Sequence, residues 1–413
     1  MKLEHNDDSR CELWTAVARA SALNFDGEAF WSAMETALSL ARDDKTRAEM
    51  CGWLAVESYV RAGMWTTTPA LEAVGEWVAS ALELAPPGTA SRARALIAKA
   101  CQNVDDAEAA AEAAAIAERL DDPELCVHAW DACATVAMAA ADYQAAWEWR
   151  TRRLRLLDRI SDPDLRTIIS ETPYSACVAT CRFDQAREIA RLNDELTRSL
   201  TPHHRLHGAA ILVEVEELLG EWRTIIDLEG RVRDAVAANA HNPCLRNARA
   251  LLVCAIAAAC LSDADKAAEL ERAADDLGMQ RNPVLDAPRL RLALLRGDHD
   301  RASELLHRIE ASQSWYLRGH GTSLTTLIAR LDAHATLGHR DQVERVAPRL
   351  ALPGTLVEPF ALRALGIVRD DHALLDRATA RFSELALEWH AQQTRQAHSS
   401  PAPAFPTPGA SRT

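Results

Sequence analysis

Asp122-Pro123, Asp162-Pro163, Thr201-Pro202, Asn242-Pro243 and Asn282-Pro283 decide the fold, because their prolines lie 40, 39, 41 and 40 residues apart. Each pair reads as a helix start. Asp, Thr or Asn offers an oxygen to the unpaired backbone N–H groups of a first helical turn, and Pro at the first helical position gives up no hydrogen bond. A fixed period of this length is the mark of a repeat array.

A second marker runs in step with the first. Ala141-Asp142-Tyr143-Gln144-Ala145-Ala146 returns as Cys181-Arg182-Phe183-Asp184-Gln185-Ala186 and Gly220-Glu221-Trp222-Arg223-Thr224-Ile225. It returns again at Ser262-Asp263-Ala264, Gly297-Asp298-His299 and Gly338-His339-Arg340, and Asn24-Phe25-Asp26-Gly27 looks like an earlier copy. A usually small residue ends one helix, a polar one turns the chain, and an apolar one packs early in the next, as in a helical hairpin. The markers predict a right-handed α-solenoid of about 9–10 hairpins with a period of about 40 residues. The hairpins are expected at 11–42, 46–85, 89–121, 122–160, 162–200, 201–239, 242–279, 282–311 and 313–351, with a capping pair at 356–396. Residues 1–10 and the Pro-rich tail 397–413 are expected to be disordered.

Composition agrees with an all-α chain. At 413 residues it is too long for one ordinary core, and its 48% hydrophobic content is rich in Ala and Leu, with only 5% aromatics. Helical spacing within 142–160 puts Tyr143, Ala146, Trp147, Arg150, Leu154 and Leu157 inward and leaves Arg152, Arg153, Arg155 and Asp158 to solvent. A net charge of −14 argues against nucleic acid and anionic membranes as partners. The longest apolar run, Leu251 to Leu261, is too short to span a bilayer, and the polar, acidic start has no secretory pattern. A cytoplasmic location is expected. Among the ten cysteines, Cys126, Cys133, Cys177, Cys181, Cys254 and Cys260 sit in apolar helical stretches without disulfide or zinc-site spacing, although Cys177 and Cys181 are four apart.

The hairpins resemble tetratricopeptide-type repeats, although their period exceeds the usual figure of about 34 residues. Particular strings extend the resemblance: Ala81-Leu82-Glu83-Leu84-Ala85-Pro86, Leu200-Thr201-Pro202-His203-His204-Arg205, Leu285-Asp286-Ala287-Pro288-Arg289-Leu290, Glu358-Pro359-Phe360-Ala361-Leu362-Arg363 and Leu387-Glu388-Trp389-His390. Together they resemble the C-terminal repeat region of bacterial multidomain regulators, in which a cyclase-type domain and a P-loop ATPase precede the repeats. MalT-like activators are more loosely similar. The resemblance implies a detached sensor or scaffold portion, with a separate signalling ATPase or cyclase as a candidate partner. It does not extend to chemistry. The nearest glycine-bearing piece, Gly319-His320-Gly321-Thr322-Ser323, lacks the phosphate-loop lysine.

The repeat register singles out a few side chains. Arg166, Arg205 and Arg246 each stand three residues after a repeat proline, with Arg249, Arg289 and Arg291 nearby, so stacked helices would align them as a basic ladder. Such a ladder would suit an acidic peptide, unless the guanidinium groups are solvated or paired within the chain. His203, His204 and His207 form the densest histidine cluster. Without a third ligand type or an H-E-x-x-H frame they read as a polar helix start facing solvent or a partner, and no metal is assigned. Glu214, Glu216 and Glu217 read as an outer helix face. Trp14, Trp53, Trp77, Trp130, Trp147 and Trp222 read as packing residues, and Trp315-Tyr316 as an aromatic pair open to a partner.

No cofactor, nucleophile–base pair or phosphate loop is visible, so the chain reads as a non-enzyme. A protein- or peptide-binding scaffold is the first reading, and a small-molecule sensor with its ligand in the superhelical groove is the second.

Overall fold

In the computed structural model of this chain the described residues are 6–399, less 62–63, 66–68, 243, 279–281 and 313–322. Trp315 and Tyr316 therefore lie outside the described residues. Among those described there are helices and turns and no strand.

The chain is an all-α solenoid of tetratricopeptide-like hairpins. The first four are α1–α2 (Asp7–Leu23, Gly27–Leu40), α3–α4 (Asp44–Val60, Leu71–Leu84), α5–α6 (Ala90–Gln102, Ala107–Leu120) and α7–α8 (Pro123–Ala139, Tyr143–Arg153). The fifth divides its first arm into α9 (Pro163–Glu171) and α10 (Pro173–Ala179) before α11 (Phe183–Thr197). Then follow α12–α13 (Pro202–Leu219, Trp222–Ala238), α14–α15 (Arg246–Cys260, Ala264–Asp275), α16–α17 (Asp286–Arg296, His299–Ala311) and α18–α19 (Ser323–Thr336, Arg340–Leu350). The tenth unit is α20, α21 and α22 (Val357–Arg369, His372–Glu384, Glu388–Ser399). First arms contact first arms of the next hairpin, as in α3 with α5, α5 with α7, α12 with α14, α14 with α16 and α16 with α18.

The hairpin turns share one construction. Ala141, Cys181, Gly220, Ser262, Gly297 and Gly338, the first residues of the recurring marker, all have positive φ between 58° and 78°. The next residue's N–H then reaches back to close the helix end, as in Asp142 to Ala137 O at 2.9 Å and Asp263 to Ala258 O at 2.9 Å. That same aspartate starts the second helix by accepting from Ala145 N or Lys266 N. One residue ends a helix and its neighbour begins another.

Several boundaries depart from the sequence reading. The helix expected to follow the Asn242-Pro243 marker directly begins at Arg246. Asn282 caps a short 3-10 turn, Pro283–Leu285, and α16 starts at Asp286. The last unit has three helices because Ala386, at φ 56°, breaks an apolar periodicity that continues through it. Within the stretches expected to lack order, α1 begins at Asp7 with Asn6 accepting from Asp8 N, and α22 continues to Ser399.

First and second arms differ in burial. Of the 18 residues of α12, 14 are buried, whereas only Trp222, Ile225, Val232 and Val236 are buried in α13. The first arms of the middle repeats are enclosed because the superhelix is tight, whereas α1 buries only Cys11, Ala18 and Ala22. Phe25 of the first hairpin packs on His203 of the sixth at 4.4 Å between ring centroids. Leu356, just before α20, donates its N–H to Ala179 O of the fifth hairpin at 3.0 Å. Trp389 of α22 meets Trp222 edge-on at 5.1 Å. One apolar cluster accordingly joins Tyr174, Ile211 and Leu219 with Leu324, Phe360 and Ala391. A long open groove is not what this arrangement leaves in the middle repeats; the chain's own helices occupy that space.

Candidate functional site

The enclosed first arms carry charge where a core would carry apolar side chains. In the middle repeats Glu171 of α9, Glu214 and Glu217 of α12, and Arg246 and Arg249 of α14 are all buried. Arg249 bonds Glu214 at 3.1 Å, Glu217 at 2.9 Å and the Thr325 hydroxyl of α18 at 3.1 Å. Arg246 lies 3.3 Å from Glu171 and 3.9 Å from Glu214. Tyr174 donates its hydroxyl to Glu214 at 2.6 Å. Arg291 of α16 reaches Glu217 at 3.8 Å and lies over the Trp222 ring, 4.8 Å from its centroid.

Burial alone would push the Glu214 carboxyl up, but Arg246, Arg249 and the Tyr174 hydroxyl outweigh it and hold its pKa below the usual carboxylate range. The Tyr174 hydroxyl is shifted the other way, first by burial and then by the Glu214 charge. These pairs survive burial because each charge has several partners. A second ionic group sits earlier in the chain. Arg61, at the end of α3, bonds Glu57 and Asp162 at 2.7 Å each and lies 3.4 Å from Asp164. Arg153 pairs with Asp131 and bonds Thr172 at 2.7 Å, while Arg150 bonds Ser175.

The basic ladder is not assembled. Arg166 donates to Ile160 O at 3.2 Å and to Leu157 O, and exposed Arg205 donates to Leu200 O at 2.8 Å, so both close the loop before their own helix. Arg246 is the first residue of α14 rather than its fourth, so it faces inward. Arg249 and Arg291 belong to the buried network. Arg289 bonds Asp275 at 2.7 Å beside a charged surface hollow that Glu271, Arg296, Asp298 and Arg301 also line.

Three further expectations need correction. Glu214, Glu216 and Glu217 are not an outer face, because α12 is enclosed; Glu216 pairs with Arg187 at 2.7 Å. Arg153 is fully buried rather than solvated. Trp14 is exposed, while Trp130 and Trp222 are buried as expected.

The histidines do not face solvent either. His203 and His204 are buried beneath Phe25. His204 Nδ1 is 2.7 Å from the Thr201 hydroxyl, and its Nε2 is 3.6 Å from Asp164. His207 Nδ1 lies 2.8 Å from Glu171 Oε2, and His207 Nε2 lies 3.5 Å from the Cys244 sulfur. Burial works against a charge on His207, yet the Glu171 carboxylate dominates and pushes its pKa up to about 10. Burial likewise opposes a Cys244 thiolate, and the two histidines reverse that, holding the thiol well below its ordinary range. Gly208 permits the close helix approach here, since a Cβ on it would lie 2.3 Å from Thr197 Oγ1 of α11.

Cys244 was not singled out by sequence, although the register contains the signal. It follows Pro243 as His203 follows Pro202 and Asp164 follows Pro163, so Cys244 and His203 share a sequence register, although His203 lies on α12 and Cys244 in the loop before α14.

Comparison with known proteins gives the fold a precedent. A crystal structure of a Rap protein complexed with Competence and Sporulation Factor is similar over 92% of this chain and 99% of that one, at 12% identity and a TM-score of 0.56. The pentatricopeptide repeat protein PPR10 from maize overlaps 92% of this chain and 62% of its own at 13% identity and a TM-score of 0.24. No family model and no curated protein matches the sequence. The class that fold and inner face define is a helical-repeat solenoid with a charged, enclosed interior. Among the described residues no helix is long and apolar enough to cross a membrane.

Proposed function

We propose that the chain is a non-catalytic, cytoplasmic repeat scaffold that docks a protein partner on the exposed face of α1. The observation that carries this is apolar surface at the first hairpin: Leu13 is 59% exposed, Trp14 38% and Val17 46%. Leu13 and Val17 are one turn apart with Trp14 beside them, a stripe that fits an apolar helix of another protein. α22, by contrast, presents the polar Gln392, Arg395 and Gln396 to solvent.

Two further points support the reading. The Rap structure shares this fold and was solved with Competence and Sporulation Factor, a precedent for binding on such a scaffold. The resemblance to cyclase–ATPase regulators makes a separate signalling ATPase or cyclase the candidate partner. An acidic peptide held by the arginine ladder is disfavoured, because Arg246, Arg249 and Arg291 already pair within the chain.

The test compares the native chain with L13E/V17E in pull-downs from the host. A partner recovered by the native chain and lost with the variant is expected. Equal recovery, or none by either, overturns the proposal. A saturable thermal shift with a single metabolite would favour the sensor reading instead.

A further inference from the structure

We infer that His203, His207 and Cys244 form a zinc-binding site that ties the sixth hairpin to the seventh. One ligand atom from each lies within 4.8 Å of the others. His203 and His207 are one turn apart on α12, so both rings leave the same face of the helix. Cys244 arrives from the loop before α14. Tetrahedral zinc, with Zn–N of about 2.0–2.1 Å and Zn–S of about 2.3 Å, holds neighbouring ligand atoms about 3.3–3.8 Å apart. The 3.5 Å between Cys244 Sγ and His207 Nε2 falls in that span.

Three observations favour an ion over the alternatives. Glu171 Oε2 already engages His207 Nδ1 at 2.8 Å, which leaves Nε2 facing the sulfur; an outer carboxylate in this place is the usual support of a metal-bound histidine. His203 is only 6% exposed, and its Nδ1 has no hydrogen-bond partner, a cost that a functional role would explain. Cys244 is 5% exposed, which suits a ligand better than a nucleophile that a substrate carbonyl must reach. The Cys244–His207–Glu171 line also has the order of a nucleophilic triad, and that reading is separated by the experiment below.

Binding balances simply. Zinc needs Cys244 as a thiolate and each ligating imidazole nitrogen unprotonated, so any proton those atoms carry leaves on binding. The displaced protons pass to solvent, so binding weakens as pH falls. Three protein ligands leave the fourth position to water.

The site is tested on the intact 413-residue chain, stripped of metal, freed of chelator and titrated with Zn²⁺ against a chromophoric competitor. One equivalent bound with sub-micromolar affinity is expected, falling at least 100-fold in C244S and H207A. Co²⁺ added to the native chain should give a thiolate-to-cobalt charge-transfer band and tetrahedral d–d bands. That readout decides the matter even where a variant fails to fold. Native protein that binds no Zn²⁺ tighter than about 10 μM, or gives no thiolate band with cobalt, overturns the site. So does unchanged affinity in folded C244S. Rapid alkylation of Cys244 without zinc binding would establish the reactive-thiol reading in its place.

Discussion

The repeats around α5–α7 and those around α12–α14 are built to one plan, and the second adds a buried ionic set to its apolar packing. In the first, Ala93, Leu96, Ile97, Ala113, Ile116 and Ala129 pack in an apolar cluster in which small side chains let helix axes approach. In the second, Glu214, Glu217, Arg246 and Arg249 sit at equivalent depth and are held by mutual pairing. Apolar packing tolerates substitution in proportion to the volume lost. A buried ionic set does not, because removing one member strands the others.

The largest effect should come from Arg249→Ala, which leaves Glu214 and Glu217 buried without their main partner. Its expected cost is about 3–5 kcal/mol in urea unfolding. Replacing all three in R249M/E214Q/E217Q should recover a good part of that loss. A single-variant cost no greater than a surface change would erase the contrast between the regions.

Acid titration should sharpen it. The folded pKa of Glu214 is depressed, so its stabilising contribution is complete above its ordinary value of 4.5 and is lost as pH falls through the lower folded value. Unfolding midpoints measured across that window should fall steeply for the native chain and less steeply for E214Q.

In the apolar region, Ile97→Val should cost only about 1 kcal/mol, seen as a small shift in the urea midpoint. The smallest effect is a gain. Ser262 sits at φ 66°, and Ser262→Gly should raise stability by up to about 1 kcal/mol by relieving left-handed backbone strain.

These contrasts also explain what could be read from sequence. The hairpin turns were legible because each has a residue at positive φ followed by a polar one, which caps the next helix where it is an aspartate, as in Ser262-Asp263 and Gly297-Asp298. The ionic interior was not. On a helix treated alone, Glu214 and Glu217 occupy a charged face, and only arms brought in from other repeats make that face internal. Arg246 was misplaced for a related reason: the marker Asn242-Pro243 precedes its helix instead of starting it, which rotates every later residue about the axis. The third helix of the last unit was missed because Leu385 and Leu387 keep the apolar rhythm across the break at Ala386. The zinc ligands lay between these cases. Their shared register was visible, but their meeting depends on α12 and the loop before α14 lying side by side.

The bond from Leu356 to Ala179 joins hairpins five places apart, as the Phe25–His203 contact does near the other end. An open array can gain or lose a unit and remain in register, so duplication and deletion are cheap routes of change. Here, removing any unit between Ala179 and Leu356 would bring the wrong partners together on the far side. The number of units inside each span is thereby held by the geometry, and there the chain has exchanged the modularity of an open array for fixed spacing.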